Sequence, residues 1–228
     1  MAMRIAAKWL FILCLPVLLL TASVSVMVNS LWLYRYGFEK YGVSQTTSLA
    51  PSELDKAAKG LIGYFNSDDD YINLTVLKDG KPLVLFNERE VSHLRDVKGL
   101  FSLVYRVLLG TLIYALVYIG SSFFLWQDRR RMAWGLVGGG SLTLFLMLVL
   151  GVGTLFNFDQ LFLQFHLISF ANDLWMLDPT RDYLIMLFPQ GFWYDVTLFC
   201  ALAAAVGAVI LGGVGGWYVA SRRRKVNS

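Results

Sequence analysis

The chain has 228 residues, of which 57% are hydrophobic and 16% charged, with a mean hydropathy of +0.56. Those values exclude an ordinary soluble globular protein and place the chain in lipid. A pI near 9.1 does not point to nucleic acid, because nine of the twenty Lys and Arg residues stand in short clusters beside long apolar runs, where basic residues set membrane topology.

A bilayer core about 30 Å thick needs about 20 apolar residues in a helix. The first such run is Leu10 to Val28, preceded by Arg4 and Lys8. It is longer than the core of a cleavable signal peptide, so it reads as an anchor, and residues 1–28 as a cytoplasmic N-terminus with transmembrane helix 1. Cys14 lies within this run and Cys200 within the last one; each behaves there as a small hydrophobe rather than half of a disulfide framework.

Residues 29–102 carry charges of both signs and read as a small extracytoplasmic α+β cap. Ser52 and Asp55 have the spacing of a capping box, and Leu54, Ala58, Leu61, Ile62 and Phe65 follow at helical spacing. Tyr71 to Leu77 and Pro82 to Phe86 are rich in β-formers and are separated by Lys78, Asp79, Gly80 and Lys81, which predicts a hairpin. The run from Asn87 to Lys98 then leads into the next span; as a helix it puts Glu90, His93 and Asp96 along one face. The competing reading of that run is a charged, solvated juxtamembrane turn.

Residues 103–126 form the second span, 127–131 a basic cytoplasmic loop holding Arg129, Arg130 and Arg131, and 132–155 the third span. The segment 156–195 is dense in aromatic residues, which favour the membrane interface, and holds one basic residue, Arg181, against five acidic ones. It reads as an interfacial or re-entrant extracytoplasmic unit. Its polar residues include His166, Asn172 and Asp173. The fourth span is 196–220, and 221–228 is a cytoplasmic tail with Arg222, Arg223, Arg224 and Lys225. Gly138, Gly139 and Gly140 in the third span, and Gly212, Gly213, Gly215 and Gly216 in the fourth, predict close helix contact. No span carries a deep ionisable residue, which argues against an ion or proton pathway.

The fold expected is therefore a four-helix polytopic membrane protein with both termini cytoplasmic. His93 and His166 are the only histidines, one in each extracytoplasmic segment. Histidine is the usual proton-transfer group near neutral pH, and Glu90, Asp96 or Asp173 could orient a ring. A metal site competes through the Glu-x-x-His spacing of Glu90 and His93, but no second copy and no cysteine cluster accompanies it. No Gly-x-Ser-x-Gly elbow supports a serine nucleophile.

The run from Leu85 to Lys98, the run from Phe165 to Pro179, and the shorter stretches Asp182 to Ile185, Phe188-Pro189 and Tyr34 to Tyr41 resemble the lipoprotein intramolecular transacylase family over nearly the full chain. The resemblance implies an enzyme of the bacterial cell membrane acting on a diacylated lipoprotein. It would move an acyl chain from the sn-2 ester of the diacylglyceryl group to the α-amine of the N-terminal cysteine, giving the lyso-form. His93 and His166 are then the expected acid and base. Glu90, Arg95, Asp96, Asn172, Asp173, Trp175, Tyr34 and Tyr36 are the expected supporting and substrate-binding residues. No cofactor, metal or nucleic acid is implied; the partners are the lipoprotein and membrane lipid, and the protein is expected to act as a monomer. The alternatives are a noncatalytic scaffold or receptor for a lipidated partner, and a metal-dependent lipid hydrolase.

Overall fold

The computed structural model describes residues 1–224, and of Arg223 and Arg224 only the backbone; Lys225 of the expected basic tail lies outside the described residues. The elements in chain order are α1 (Ala2–Val28), α2 (Leu31–Lys40), α3 (Val43–Thr47), α4 (Pro51–Phe65), β1 (Thr75–Lys78), β2 (Lys81–Val84), α5 (Glu88–Gly120), α6 (Arg129–Ser169), α7 (Tyr183–Leu187) and α8 (Gln190–Arg224). Four of them, α1, α5, α6 and α8, are long and apolar enough to cross a membrane, so the four expected spans are present and the protein is a multi-pass membrane protein. The apolar stretches fill only part of these helices. Glu88 to Ser102 of α5 and the part of α6 beyond Leu155 carry the carboxylates and histidines of these helices and lie outside the apolar runs 103–126 and 132–155 read from the sequence.

The chain divides into two compact units. The first, residues 1–25, 104–153 and 198 onward, holds the spans. Phe11, Leu15, Ala115, Tyr118 and Leu136 form one buried cluster, and Met147, Ala201 and Ala204 another. Hydrocarbon tails give no hydrophobic drive between helices, so contact depends on close packing of small residues. A Cβ on Gly140 would stand 2.9 Å from the Ala208 carbonyl oxygen and 3.2 Å from Gly212 Cα, and one on Gly215 would stand 2.6 Å from the Ala133 carbonyl oxygen. The glycines thus let the backbones of α6 and α8 meet. Leu109, Leu112, Ile113, Leu116 and Val117 of α5 stay exposed, as do Leu202, Val206, Val209 and Ile210 of α8, as residues that face lipid should.

Helix α5 ends in a π-helical turn, Ser121–Leu125, and Gln127 takes a left-handed conformation (φ 51°). Helix α6 begins at once, so Arg129 to Arg131 form its first turn. Three cations there oppose the helix dipole; Asp128 compensates by accepting the Arg131 N–H at 3.1 Å and pairing with the Arg131 Nε at 3.2 Å.

The second unit comprises residues 26–103 and 154–197. Helix α4 appears where expected, but its start differs. Pro51 occupies the first turn, Ala50 is the N-cap, and no side chain caps the helix; the fixed φ of proline is pre-set for that position, and its missing N–H removes one donor that the first turn leaves unpaired. The Ser52–Asp55 capping box is not formed, and Asp55 instead pairs with Arg35 of α2 through two hydrogen bonds, one at 2.8 Å. The hairpin is present but shorter than expected. Its antiparallel strands pair Thr75 with Val84 and Lys78 with Lys81, around Asp79 (φ 52°) and Gly80 (φ 75°), the two left-handed residues that a tight hairpin turn of right-handed twist requires.

Helix α6 breaks at Asn157 (φ −156°, ψ 73°). The Asn157 side-chain oxygen accepts the Gln160 N–H at 3.2 Å, so the asparagine caps a new helical segment that runs to Ser169. That segment carries His166.

Candidate active site

Helix α5 brings His93 to the site within its second turn, and its start is fixed by a reciprocal cap. The Asn87 side-chain oxygen accepts the N–H groups of Arg89 (3.0 Å) and Glu90 (3.1 Å), while Glu90 Oε2 accepts the Asn87 N–H at 2.8 Å. This is capping-box geometry. The other Glu90 oxygen accepts the Leu184 N–H of α7 at 2.6 Å. Glu90 is 1% exposed and each of its oxygens accepts a backbone N–H, so it anchors two elements. Burial raises its pKa, against which the Leu184 and Asn87 N–H groups act.

The irregular segment 170–182 is tied to the same stretch of α5. Arg89 donates to the Asp173 carbonyl at 2.5 Å and to the Leu174 carbonyl at 3.4 Å. Asn172 donates to Asp96 at 2.9 Å and accepts the Leu174 N–H at 3.1 Å. Asp182 is fully buried; it accepts from the Asn87 amide at 2.9 Å and from the Asp178 N–H at 2.7 Å, with Arg181 at 3.4 Å.

These ties set the two histidines face to face. Their ring centroids lie 6.4 Å apart with 29° between the planes. Phe170 packs edge-on against His93 at 5.0 Å, and Trp175 and Phe162 stand 4.8 and 4.4 Å from His166. Both rings are buried, at 7% and 8% exposure. Burial pushes the His93 pKa down to about 4; the nearby His166 adds to this and Asp96 opposes it. Burial also lowers His166, against the hydrogen bond to the Phe162 carbonyl. Both imidazoles are therefore neutral at pH 7 and able to take up a proton.

The tautomer of His166 follows from its partner. Nδ1 lies 2.7 Å from the Phe162 carbonyl oxygen, and a carbonyl only accepts, so Nδ1 carries the proton and Nε2 holds the lone pair. His93 Nδ1 is buried with no hydrogen-bond partner among the described residues. Among those residues no three His, Cys, Asp or Glu side chains converge as metal ligands.

Of the expected supporting residues, Asp96, Asn172 and Trp175 gather around the histidines, and Asp173 contributes its backbone carbonyl. Arg95 turns to Tyr71 and Asp70. The Tyr34 hydroxyl donates to the Val28 carbonyl and its ring packs on Phe188. Tyr36 joins a separate cluster in which Asp195 accepts from Lys40 at 2.7 Å, Tyr41 at 2.7 Å and Tyr36 at 3.3 Å. Burial works against the Asp195 charge, yet the Lys40 and Tyr41 hydrogen bonds hold its pKa below the usual carboxylate value; burial pushes Tyr41 up to about 12. Sequence reading missed the Asn87, Arg89 and Asp182 ties. An Asn three residues before Glu90 was the one signal for them.

Comparison with known proteins gives a consistent picture. The sequence profile of the lipoprotein intramolecular transacylase Lit family matches residues 9–193, which include both histidines. An uncharacterized protein of Aquifex aeolicus (strain VF5) is 31% identical over 135 residues, 59% of this chain and 57% of that one, so the match spans less than two thirds of its relative. The in meso structure of the membrane integral lipoprotein intramolecular transacylase Lit from Bacillus cereus superposes with a TM-score of 0.83 at 19% identity, covering 98% of this chain and 99% of that one. A form of the same protein with one histidine replaced by arginine superposes at 0.78 and 18% identity, over 98% and 95%. The structural likeness establishes a shared fold, and the profile match over most of the sequence shows that this chain belongs to the lipoprotein intramolecular transacylase family.

Proposed function

We propose that this protein catalyses an intramolecular O-to-N acyl transfer on a diacylated lipoprotein, moving the sn-2 acyl chain of the diacylglyceryl group to the α-amine of the N-terminal cysteine. The observation that carries this reading is the pair of buried, neutral histidines facing each other at 6.4 Å, within a chain of this family. That spacing is one that an ester carbonyl and the amine attacking it can bridge.

An α-ammonium with a reference pKa of about 7.7 to 8.0 gives up its proton near neutral pH. Nε2 of His166 takes a proton from the amine as nitrogen attacks the ester carbonyl. The tetrahedral intermediate collapses by breaking the bond to the glyceryl oxygen; the neutral His93 gives that oxygen its N–H proton and regains one from the His166 imidazolium, so both rings end neutral and no proton is gained or lost overall. An amide replaces an ester, so no external acyl donor is needed, and holding both groups on one substrate supplies the proximity contribution. Phe162, Phe170 and Trp175 shield the rings and limit hydrolysis by water. We place this unit on the extracytoplasmic side, with both termini cytoplasmic, because the three basic clusters then all fall inside.

The test is expression of wild type, His93→Ala and His166→Ala in a host lacking other copies. The reaction is an isomerisation, so intact mass does not change. Tandem mass spectrometry of the lipoprotein's N-terminal peptide locates the acyl chain instead. Wild type should yield the N-acyl peptide with one glyceryl ester, and both variants the unmodified amine; N-acyl product from well-expressed variants would rule out the histidine mechanism.

A further inference from the structure

The arginines at the junction of α5 and α6 do more than mark topology. A cavity of about 520 Å³ opens in the first unit between this junction and the end of α8, and Arg129, Arg130 and Arg222 all line it. Positive-inside clustering needs only that cations lie near a span end; it does not require three from two helices to converge on one cavity. None of the three has a carboxylate partner among the described residues. The one acidic residue of the lining, Asp128, is engaged by the Arg131 side chain at 3.2 Å and by its N–H at 3.1 Å. The guanidinium groups of Arg129 and Arg222 are steadied by aromatic rings, Phe123 at 3.8 Å and Tyr218 at 5.6 Å.

A second, apolar cavity of about 270 Å³ lies between α6 and α8, lined by Trp134, Val137, Gly216, Val219 and Ala220. Trp134 and Val137 stand one and two turns beyond Arg130 on the same face of α6, and on antiparallel α8 Val219 stands one turn before Arg222, with Gly216 one turn before Val219. A basic end thus continues into an apolar groove, the charge pattern of an acidic amphiphile. The space beside Gly216 is open: a Cβ there would meet nothing within 4 Å.

We propose that this end of the protein binds one anionic phospholipid, its phosphate held by Arg129, Arg130 and Arg222 and one acyl chain lying along Trp134, Val137 and Gly216. The site is separate in sequence from the histidines and does not depend on the transfer reaction.

The experiment is native mass spectrometry of the full chain in detergent with equal dioleoyl-phosphatidylglycerol and dioleoyl-phosphatidylcholine. Wild type should retain one phosphatidylglycerol in preference. A basic residue near an anionic lipid contributes about fivefold in affinity, so Arg130→Gln with Arg222→Gln should weaken retention about thirty-fold. Lys81→Gln, an exposed cation of the other unit, should leave it unchanged. Gly216→Leu fills open space without meeting backbone, so it should fold normally and still lose the lipid. Equal retention of both lipids, full retention by the double arginine variant or by Gly216→Leu, or binding of free glycerol 1-phosphate as tight as that of the lipid would overturn the proposal.

Discussion

The Nδ1 atom of His166 donates its proton to the carbonyl oxygen of Phe162, one helical turn earlier, at 2.7 Å. That single bond makes Nε2 the acceptor without any carboxylate behind the ring. A side chain that offers a donor at Nδ1 only, or an acceptor only at the other end, cannot reproduce it. His166→Asn and His166→Gln are both expected to lose about 10²- to 10⁴-fold in transfer rate, the range associated with general acid–base catalysis. Quantifying N-acyl peptide over time with a purified diacylated lipopeptide checks this.

The His93 pKa bears on stability as well as activity. Its folded value, about 4, lies below the ordinary value of 6.5, so between these limits the unfolded chain binds more protons than the folded one. Stability therefore falls as pH drops through 6.5 and levels off below about 4. His93→Gln should flatten the dependence of Tm on pH across that window, measured by thermal unfolding in detergent. Transfer activity should persist in wild type below the pH at which a free imidazole would protonate.

Glu90 has both oxygens committed to backbone N–H groups. Glu90→Ala leaves two buried donors unsatisfied, each worth about 1–3 kcal/mol, and should lower Tm markedly. Glu90→Gln keeps an acceptor for only one of them and should fall between. If Glu90→Ala matched wild type in Tm but abolished turnover, its role would be at the reaction and not in anchoring α7.

Asp195 gathers Lys40, Tyr36 and Tyr41. Lys40 is 43% exposed and can return to water, whereas the Asp195 side chain is 9% exposed. Lys40→Met should therefore destabilise more than an exposed ion pair, which is worth about 0–1 kcal/mol, because it strands a buried carboxylate. A double-mutant cycle with Asp195→Asn measures the coupling.

Gly140→Ala places a methyl group 2.9 Å from a backbone oxygen of α8, while Gly151→Ala meets nothing within 4 Å. The first should destabilise by about 1–3 kcal/mol through overpacking. The second should be neutral or slightly stabilising. Thermal unfolding of both in detergent separates a general glycine effect from helix contact at one point.

Much of the architecture is legible in the chain because its signals are local. Apolar length alone marks α1, α5, α6 and α8, and Asp79-Gly80 marks the hairpin by the left-handed conformations such residues tolerate. The run from Asn87 reads equally as a solvated turn, and the structure decides for a helix from Glu88. Its cap, Asn87 with Glu90, has the same spacing as Ser52 with Asp55, the pair expected to cap α4. What separates them is Pro51, whose fixed φ pre-sets the start of α4, and Arg35, which takes Asp55.

The sequence by itself determined that this is a four-span membrane protein, because hydrophobic length is a property of consecutive residues. It also singled out the two histidines, by their scarcity. Only the tertiary structure decided which neighbours stand near them. Asp96, Phe170 and Trp175 come close, while Glu90, Arg95, Tyr34 and Tyr36 are claimed by Leu184, Tyr71, Val28 and Asp195. Those claims are hydrogen bonds between residues up to 159 positions apart, and the geometry that awards a donor to one acceptor over another exists only once the chain has folded.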